Sequence, residues 1–362
     1  MSSRSLLLLA EVVIGLSCLG LALVIVGARL HRVRATRRTA RMVAPHRPML
    51  LAVASGEDAD GSARAHLASL PAATWEPVRS AAVAMLAKVR GAPAETLVSL
   101  LHAHAEVERA LGWLRSRSAV RRARAAYLLG LLHDPANVPA LVPLLSDPSP
   151  DVRLVAARSL GLIGDPAAAG AVLSAVPSRD GRMGIPAWVA AEALLGMGLG
   201  VAPVLRGALA SADAGVRDVA VTVAGAGTFT SVLPQLRVLL DHDPSPEVRT
   251  AAAVALGRLG GPRDVAALIR RTAPSNPTTL RRTCVGALGE LGDPSAVPAL
   301  TALLDEPDRR LAELGAEALV RVGPAGTEVL LRCAGSTGPT GTVARGALDM
   351  ARLRGQLLAA SL

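Results

Sequence analysis

Histidines and glutamates alternate along residues 102–108, where the chain reads HAHAEVE, and these side chains are potential metal ligands. Two ligands on one helical face must lie three or four residues apart. His102 with Glu106 meets this spacing, whereas His102 with His104 does not. Two ligands are too few for a zinc site, which takes three or four from the protein. The run therefore predicts no metal centre.

Other residue types that could carry chemistry are also in unsuitable contexts. Cys18, Cys284 and Cys333 lie in apolar sequence, which is typical of buried thiols rather than of a disulfide framework. Lys88 is the only lysine, so a phosphate-binding loop has no lysine to use. The glycines at 196–200 lack the last glycine of a dinucleotide fingerprint and follow a helical pattern, not a strand. The sequence therefore predicts no catalytic residue and no cofactor.

The strongest surface signal is a set of arginines near Trp113, namely Arg115, Arg117, Arg121, Arg122 and Arg124. Guanidinium groups at this density can bind an acidic protein partner or anionic lipid headgroups. They can equally form a solvated helix face whose long side chains cover alanine-rich surface. Both interpretations remain open from the sequence.

Charge and composition argue against nucleic acid as the ligand. The net charge is +10, but residues 1–47 hold eight arginines and a single glutamate, so most of the charge lies in one short stretch. Aromatic residues make up 1 % of the chain, and binding of single-stranded nucleic acid needs aromatic platforms on which bases stack. We therefore expect a protein partner and no nucleic acid.

An apolar run precedes the basic stretch. Residues 6–28 are long enough for a helix to cross a bilayer, and the arginines of 29–47 then place the following chain in the cytoplasm by the positive-inside rule. A cleaved signal peptide or a lipoprotein signal ending at Cys18 fits less well, because the charge follows the apolar run instead of preceding it. The expectation is a single-pass protein of the inner (plasma) membrane with residues 48–362 in the cytoplasm.

One pattern recurs through the rest of the chain. Examples are VRLVAARSLGLIG (152–164), VRTAAAVALGRLG (248–260) and LRRTCVGALGELG (280–292). Their second position sets a spacing of 32 residues or a multiple of it, except for about ten extra residues near 91–104. The arginines at this position are Arg79, Arg121, Arg153, Arg217, Arg249 and Arg281.

A second pattern precedes several of these copies, as in VPALVPLLSD (138–147) and VPALTALLDE (297–306). Apolar residues recur at the spacing of one helical stripe, and a proline occupies the first turn, where its missing N–H costs little. Each unit is thus a two-helix hairpin that buries its apolar face only when its neighbours stack on it. The sequence predicts an all-α fold: an α-solenoid of about nine helical hairpins, preceded by the transmembrane helix.

These copies resemble bacterial HEAT repeats, closest to the short variety of phycobilisome lyases, over residues 50–358. In that family an aspartate in the turn pairs with an arginine six residues later and forms a ladder along the stack. The resemblance implies such pairs for Asp147 with Arg153 and for Asp243 with Arg249.

The layout also resembles actinobacterial membrane-tethered HEAT proteins, which implies a membrane enzyme such as a glycosyltransferase as a partner. The expected function is a non-catalytic scaffold for protein–protein interaction at the membrane. Two further classes remain open: a bilin-lyase-like enzyme and a HEAT-like DNA-binding protein. A shared fold is a weak basis for inferring a reaction.

Overall fold

The computed structural model describes residues 20, 21, 26, 29, 40–178, 181 and 183–360, with side chains up to 355. The chain divides into two compact units, Met1–Gly112 and Trp113–Leu362. Within those described ranges the secondary structure is helical and contains no strand. The predicted all-α class is therefore confirmed.

The first unit contains α1 (Arg47–Ser55), α2 (Ser62–Ala68), α3 (Ala72–Leu86), α4 (Ala92–Ala103) and α5 (Glu106–Trp113), which ends at its boundary. The extra residues near 91–104 coincide with α4, which explains why the repeat spacing is longer there. The core of this unit includes Leu50, Trp75 and Leu101, each 1 % exposed or less.

The second unit continues the series with α6 (Ala119–Leu131), α7 (Val138–Leu141), α8 (Pro150–Ile163), α9 (Ala169–Ser174), α10 (Ala187–Gly196), α11 (Ala202–Ala208), α12 (Ala214–Ala226), α13 (Leu233–His242), α14 (Pro246–Leu259), α15 (Pro262–Arg271), α16 (Thr278–Leu291), α17 (Val297–Ala302), α18 (Arg309–Val322), α19 (Pro324–Ala334) and α20 (Pro339–Ala360). Odd-numbered helices from α7 are the first helices of the predicted hairpins, and even-numbered helices from α6 are the second helices. Each second helix packs against the second helix of the following hairpin. This is the stacking of a solenoid, as predicted.

Aspartate–proline pairs open several hairpins as expected. The carboxylates of Asp134 and Asp165 accept hydrogen bonds from the amides of Ala136 and Ala167, both at 2.9 Å, and thereby cap short 3₁₀ turns before α7 and α9. Glycine ends α8, because Gly164 has a φ of 78°, in the left-handed region that glycine enters without strain.

Small residues set the spacing between neighbouring second helices. A Cβ atom added to Gly130 would lie 2.7 Å from Cα of Ser159, and one added to Gly161 would lie 2.6 Å from Cα of Ala193. The same contact recurs between Gly257 of α14 and the next second helix. The backbones of neighbouring second helices are thus in close contact. The side chains beside each contact point therefore recur at a regular interval along the stack.

The expected membrane span is not supported by the structure. Residues 6–28 lie outside the described part of the chain, apart from residues 20, 21 and 26. Among the described helices, none combines the length and apolar character needed to cross a bilayer. The longest, α20, contains four charged residues in its 22. The prediction of a single-pass inner-membrane protein is corrected accordingly, since no helix that the structure describes supports it.

Candidate functional site

The five arginines predicted as a contact surface separate into one partly buried residue, Arg122, and four exposed residues. Arg122 donates from Nε and Nη2 to the carboxylate of Asp147 on the next hairpin, with both distances 2.7 Å. Its Nη1 donates to the backbone carbonyl of Ser116, and 12 % of its side chain is exposed. Arg122 therefore ties two hairpins together and has little surface left for a partner.

This connection recurs further along the stack. Arg217 donates from Nε and Nη2 to the Asp243 carboxylate at 2.7 and 2.8 Å, and from Nη1 to the carbonyl of Ser211 at 2.8 Å. Arg281 likewise forms an ion pair with Glu306 of the following hairpin. We call Arg122–Asp147, Arg217–Asp243 and Arg281–Glu306 the rungs, since each joins one hairpin to the next.

The predicted ladder residues do meet, but through different atoms. Nη1 of Arg153 donates to the backbone carbonyl of Asp147 at 2.8 Å, and Nη1 of Arg249 donates to the backbone carbonyl of Asp243 at 3.0 Å. Each aspartate carboxylate instead accepts from the arginine of the preceding hairpin. In α6 the repeat is shifted by one residue from the position that the sequence spacing predicted, because Arg122 rather than Arg121 forms the rung.

The two rung aspartates, Asp147 and Asp243, are held in their charged form. Burial alone raises the pKa of the Asp243 carboxyl, but hydrogen bonds from Arg217 and the Ser245 amide outweigh it, so the pKa lies below its usual value. For Asp147, burial is likewise outweighed by the bonds from Arg122 and from the Ser149 amide. Folding and ionisation of these carboxyls therefore support each other.

The other four arginines of the set have no such partner. Arg115, Arg117, Arg121 and Arg124 are exposed, and none forms an ion pair with a residue that the structure describes. Arg121 and Arg124 lie three residues apart on α6 and so share one side of that helix. We call these four side chains the arginine row.

Next to this row lies an exposed patch that the sequence reading did not identify. Tyr127 of α6 is 42 % exposed and Trp188 of α10 is 57 % exposed. The guanidinium carbon of Arg158, on α8 between them in the stack, lies 5.0 Å from the centre of the Trp188 ring. The Nε atom of Arg158 is also 3.3 Å from a carboxylate oxygen of Glu192. We call Tyr127, Arg158 and Trp188 the aromatic–arginine patch.

The helix register explains why these residues share a face. Tyr127 precedes Gly130 by three residues, and Arg158 precedes Gly161 by three, so the two occupy equivalent positions on neighbouring helices. The same face of α10 carries Trp188 and Glu192, both in reach of Arg158. By contrast, Trp75 and Phe229 are 1 % and 6 % exposed. An exposed tryptophan in a chain with so few aromatic residues is a feature that core packing does not explain.

The residues considered for metal or thiol chemistry have structural partners. His104 stacks on Trp75 with ring centres 3.9 Å apart, and its Nε2 lies 2.9 Å from the carbonyl oxygen of Leu67. Glu106 is buried and accepts a hydrogen bond of 2.8 Å from Nε1 of Trp75. Cys284 is also buried, which raises the pKa of its thiol to about 12 although Arg271 acts in the opposite direction. Such a thiol is unreactive at neutral pH.

A groove of about 1220 Å³ lies between α18 and α20. Its walls carry Arg309 and Glu313, whose ion pair measures 3.0 Å, while Val343, Ala347 and Met350 contribute apolar surface. Because its walls carry both arginines and carboxylates, the groove does not select a ligand of one charge sign.

Family models match much of the chain. A model of HEAT repeats matches residues 107–185 and 201–279, and a model of the PBS lyase HEAT-like repeat matches residues 280–306. Together they cover about half of the sequence. No curated protein matches the chain.

Several solved structures are similar to this chain at low sequence identity. A crystal structure of a Kap121p mutant is 13 % identical, with a TM-score of 0.53 over 75 % of this chain and 35 % of that one. Kap121p bound to the SUMO protease Ulp1p is 12 % identical, with a TM-score of 0.48 over 75 % and 34 %. The complex of CpcE and CpcF of phycocyanin lyase from Nostoc sp. PCC7120 is 21 % identical, with a TM-score of 0.29 over 74 % and 93 %.

This chain spans about a third of the length of the Kap121p chains. The repeated helical pairs, their rungs and the matched models lead to one conclusion: the chain belongs to the HEAT-repeat proteins.

Proposed function

We propose that this protein is a non-catalytic scaffold that binds a partner protein through the aromatic–arginine patch. The observation that carries the proposal is the exposure of Trp188, 57 % of which is accessible while Arg158 holds one side of its ring. Tryptophan, tyrosine and arginine are the residues that contribute most to protein–protein binding. In this patch all three occur on three neighbouring helices.

The fold is consistent with this role. A stack of hairpins presents equivalent helix faces side by side and thus forms an extended binding surface. Kap121p, with which the chain shares its fold, has itself been seen bound to a protein, the SUMO protease Ulp1p. The membrane glycosyltransferase suggested as a partner by resemblance stays a prediction.

Photo-crosslinking tests the proposal. Benzoylphenylalanine is placed at Trp188 or at Tyr127 in the full chain, and the control carries it at Val238, which is 59 % exposed on the first helix α13. We expect both patch positions to crosslink the same protein and the control not to. Equal crosslinking from Val238, or none from either patch position, would contradict the proposal.

We further propose that the protein has no bilin-lyase activity, although a short PBS lyase HEAT-like match favours that alternative. The chain is mixed with a bilin and apo-phycocyanin, and chromophore addition is followed by absorbance. We expect the rate to equal that of the reaction without the chain. Repeated turnover would refute the non-catalytic role.

A further inference from the structure

We propose that the arginine row and the aromatic–arginine patch together bind an acidic, extended segment of the partner protein. This inference rests on the proposed function and adds the chemical nature of the partner. Its basis is the difference between paired and unpaired arginines on a single helix.

Charge is the first argument. Arg121 and Arg124 on α6, and Arg115 and Arg117 before it, are exposed and form no ion pair with a described residue. Their neighbour Arg122 is fully engaged by Asp147. The start of α6 therefore presents four guanidinium groups that form no ion pair with a described residue, which favours a partner with carboxylates.

Geometry is the second argument. Arg121, Arg124 and Tyr127 follow one another at intervals of three residues, so each is a surface neighbour of the next on α6. Three residues turn the helix by about 300°, so the row leads into the patch while it winds part of the way around α6. Six residues of helix rise about 9 Å, and neighbouring packed helices lie about 8–10 Å apart. The path from Arg121 through Tyr127 to Trp188 is thus roughly 25–30 Å. An extended peptide of about eight to ten residues covers that length.

The surface is less suited to a uniform array of phosphates. Glu192 lies beside Arg158, and Asp151 is exposed at the start of α8, so carboxylates interrupt the positive charge. Nucleic acid or an anionic bilayer would bring phosphates against both carboxylates. A protein segment can place acidic residues opposite the arginine row and an apolar residue or proline on Trp188, as in other aromatic-lined peptide sites.

Fluorescence polarisation with the full chain tests this inference. The probes are a labelled peptide of about twelve residues, glutamate-rich at one end and proline- and leucine-containing at the other, and a matched peptide with glutamine for every glutamate. We expect the acidic peptide to bind about tenfold more tightly at low salt, with the difference shrinking as salt screens the charges.

Variants assign the effect to residues. We expect the double variant Arg121→Gln/Arg124→Gln to weaken binding of the acidic peptide about tenfold and to leave the glutamine peptide unchanged. The matched control is Arg206→Gln/Arg263→Gln, which removes two exposed arginines from the first helices α11 and α15 and should change neither affinity. Circular dichroism verifies that each variant is folded.

The outcomes separate this inference from the proposed function. Equal binding of both peptides, or equal losses in the control variant, would overturn the acidic partner; if Trp188→Ala still weakens both peptides, the protein-binding patch stands. If Trp188→Ala affects neither peptide, the patch itself is refuted. Tighter binding of a short DNA duplex or of phosphatidylserine vesicles than of the acidic peptide would also overturn the inference.

Discussion

Arg121 and Arg122 are neighbours in the chain but differ in their surroundings. Arg122 points to the next hairpin, where its guanidinium shares two hydrogen bonds with Asp147 and a third with a backbone carbonyl. Arg121 is exposed and forms no ion pair within the described residues. The one-residue offset turns the side chain by about 100° around the helix.

The same difference separates the rungs, to which Arg122 belongs, from the arginine row, to which Arg121 belongs. The rungs consist of arginine–carboxylate pairs between hairpins, of which Arg122–Asp147 and Arg217–Asp243 are bidentate, and their removal should be measured as lost stability. The arginine row and the patch consist of exposed groups, and their removal should be measured as lost binding.

Breaking a buried rung should be the most damaging change. In the Arg217–Asp243 pair 9 % and 1 % of the two side chains are exposed, so Asp243→Ala leaves a nearly buried guanidinium without its counter-charge. We expect the free energy of unfolding to fall by about 3–5 kcal/mol in urea titrations followed by circular dichroism. The double variant Arg217→Leu/Asp243→Leu should lose less, because no lone charge stays buried. A double variant as unstable as the single one would refute this reasoning.

Adjacent arginines should differ in their effect on stability. Arg122→Gln removes two bonds to Asp147 and should lower the free energy of unfolding by about 2–3 kcal/mol. Arg121→Gln should change it by less than about 0.5 kcal/mol, as surface substitutions do. The same urea titration measures both. Similar losses for the two variants would mean that the rung assignment is wrong.

Acid should weaken the rungs. Burial raises the pKa values of Asp147 and Asp243, but the arginine bonds, the bonds from the Ser149 and Ser245 amides and the attraction of nearby arginines together outweigh it, so both pKa values are lowered in the folded protein. Their contribution is therefore present above the pKa of an unfolded aspartate, about 3.9, and is lost as the pH falls below that value. Urea unfolding between neutral pH and pH 3 measures the decline, which should be shallower in Arg217→Leu/Asp243→Leu.

Removing the exposed tryptophan should have the smallest effect on stability. Trp188→Ala deletes a cation–π contact with Arg158 that is worth about 0.5–1 kcal/mol at an exposed site. We expect the free energy of unfolding to fall by no more than that amount in the urea titration. A loss of about 3 kcal/mol, as for a buried large side chain, would mean that Trp188 belongs to the core.

Much of the fold was predictable because its signals are local. Apolar spacing, prolines in first turns and glycines such as Gly164 after second helices act within a few residues of each other. The error of one residue at α6 arose because Val120–Arg121 imitates the Val–Arg pair of the other copies. Gly130, which packs against Ser159, shows the true alignment. Spacing measured from the small residue would have identified Arg122.

The candidate site was harder to predict because it depends on contacts between hairpins. Whether Trp188 is exposed is decided by how α8 and α10 pack, and nothing in its immediate sequence encodes that. A usable signal was nevertheless present, since Tyr127 and Arg158 precede equivalent small residues by the same interval. The membrane prediction depended on the hydropathy of residues 6–28 and on the arginines of 29–47, without a comparable match to a second part of the chain.

The hydrogen bonds that four of these arginines donate to backbone carbonyl groups have an evolutionary consequence. The Nη1 atoms of Arg122 and Arg217 donate to carbonyl oxygens of Ser116 and Ser211, whereas those of Arg153 and Arg249 donate to carbonyl oxygens of aspartates. Since the acceptor is main chain, its side chain can mutate without weakening that bond. Hairpin turns can therefore diverge by neutral drift while their geometry persists.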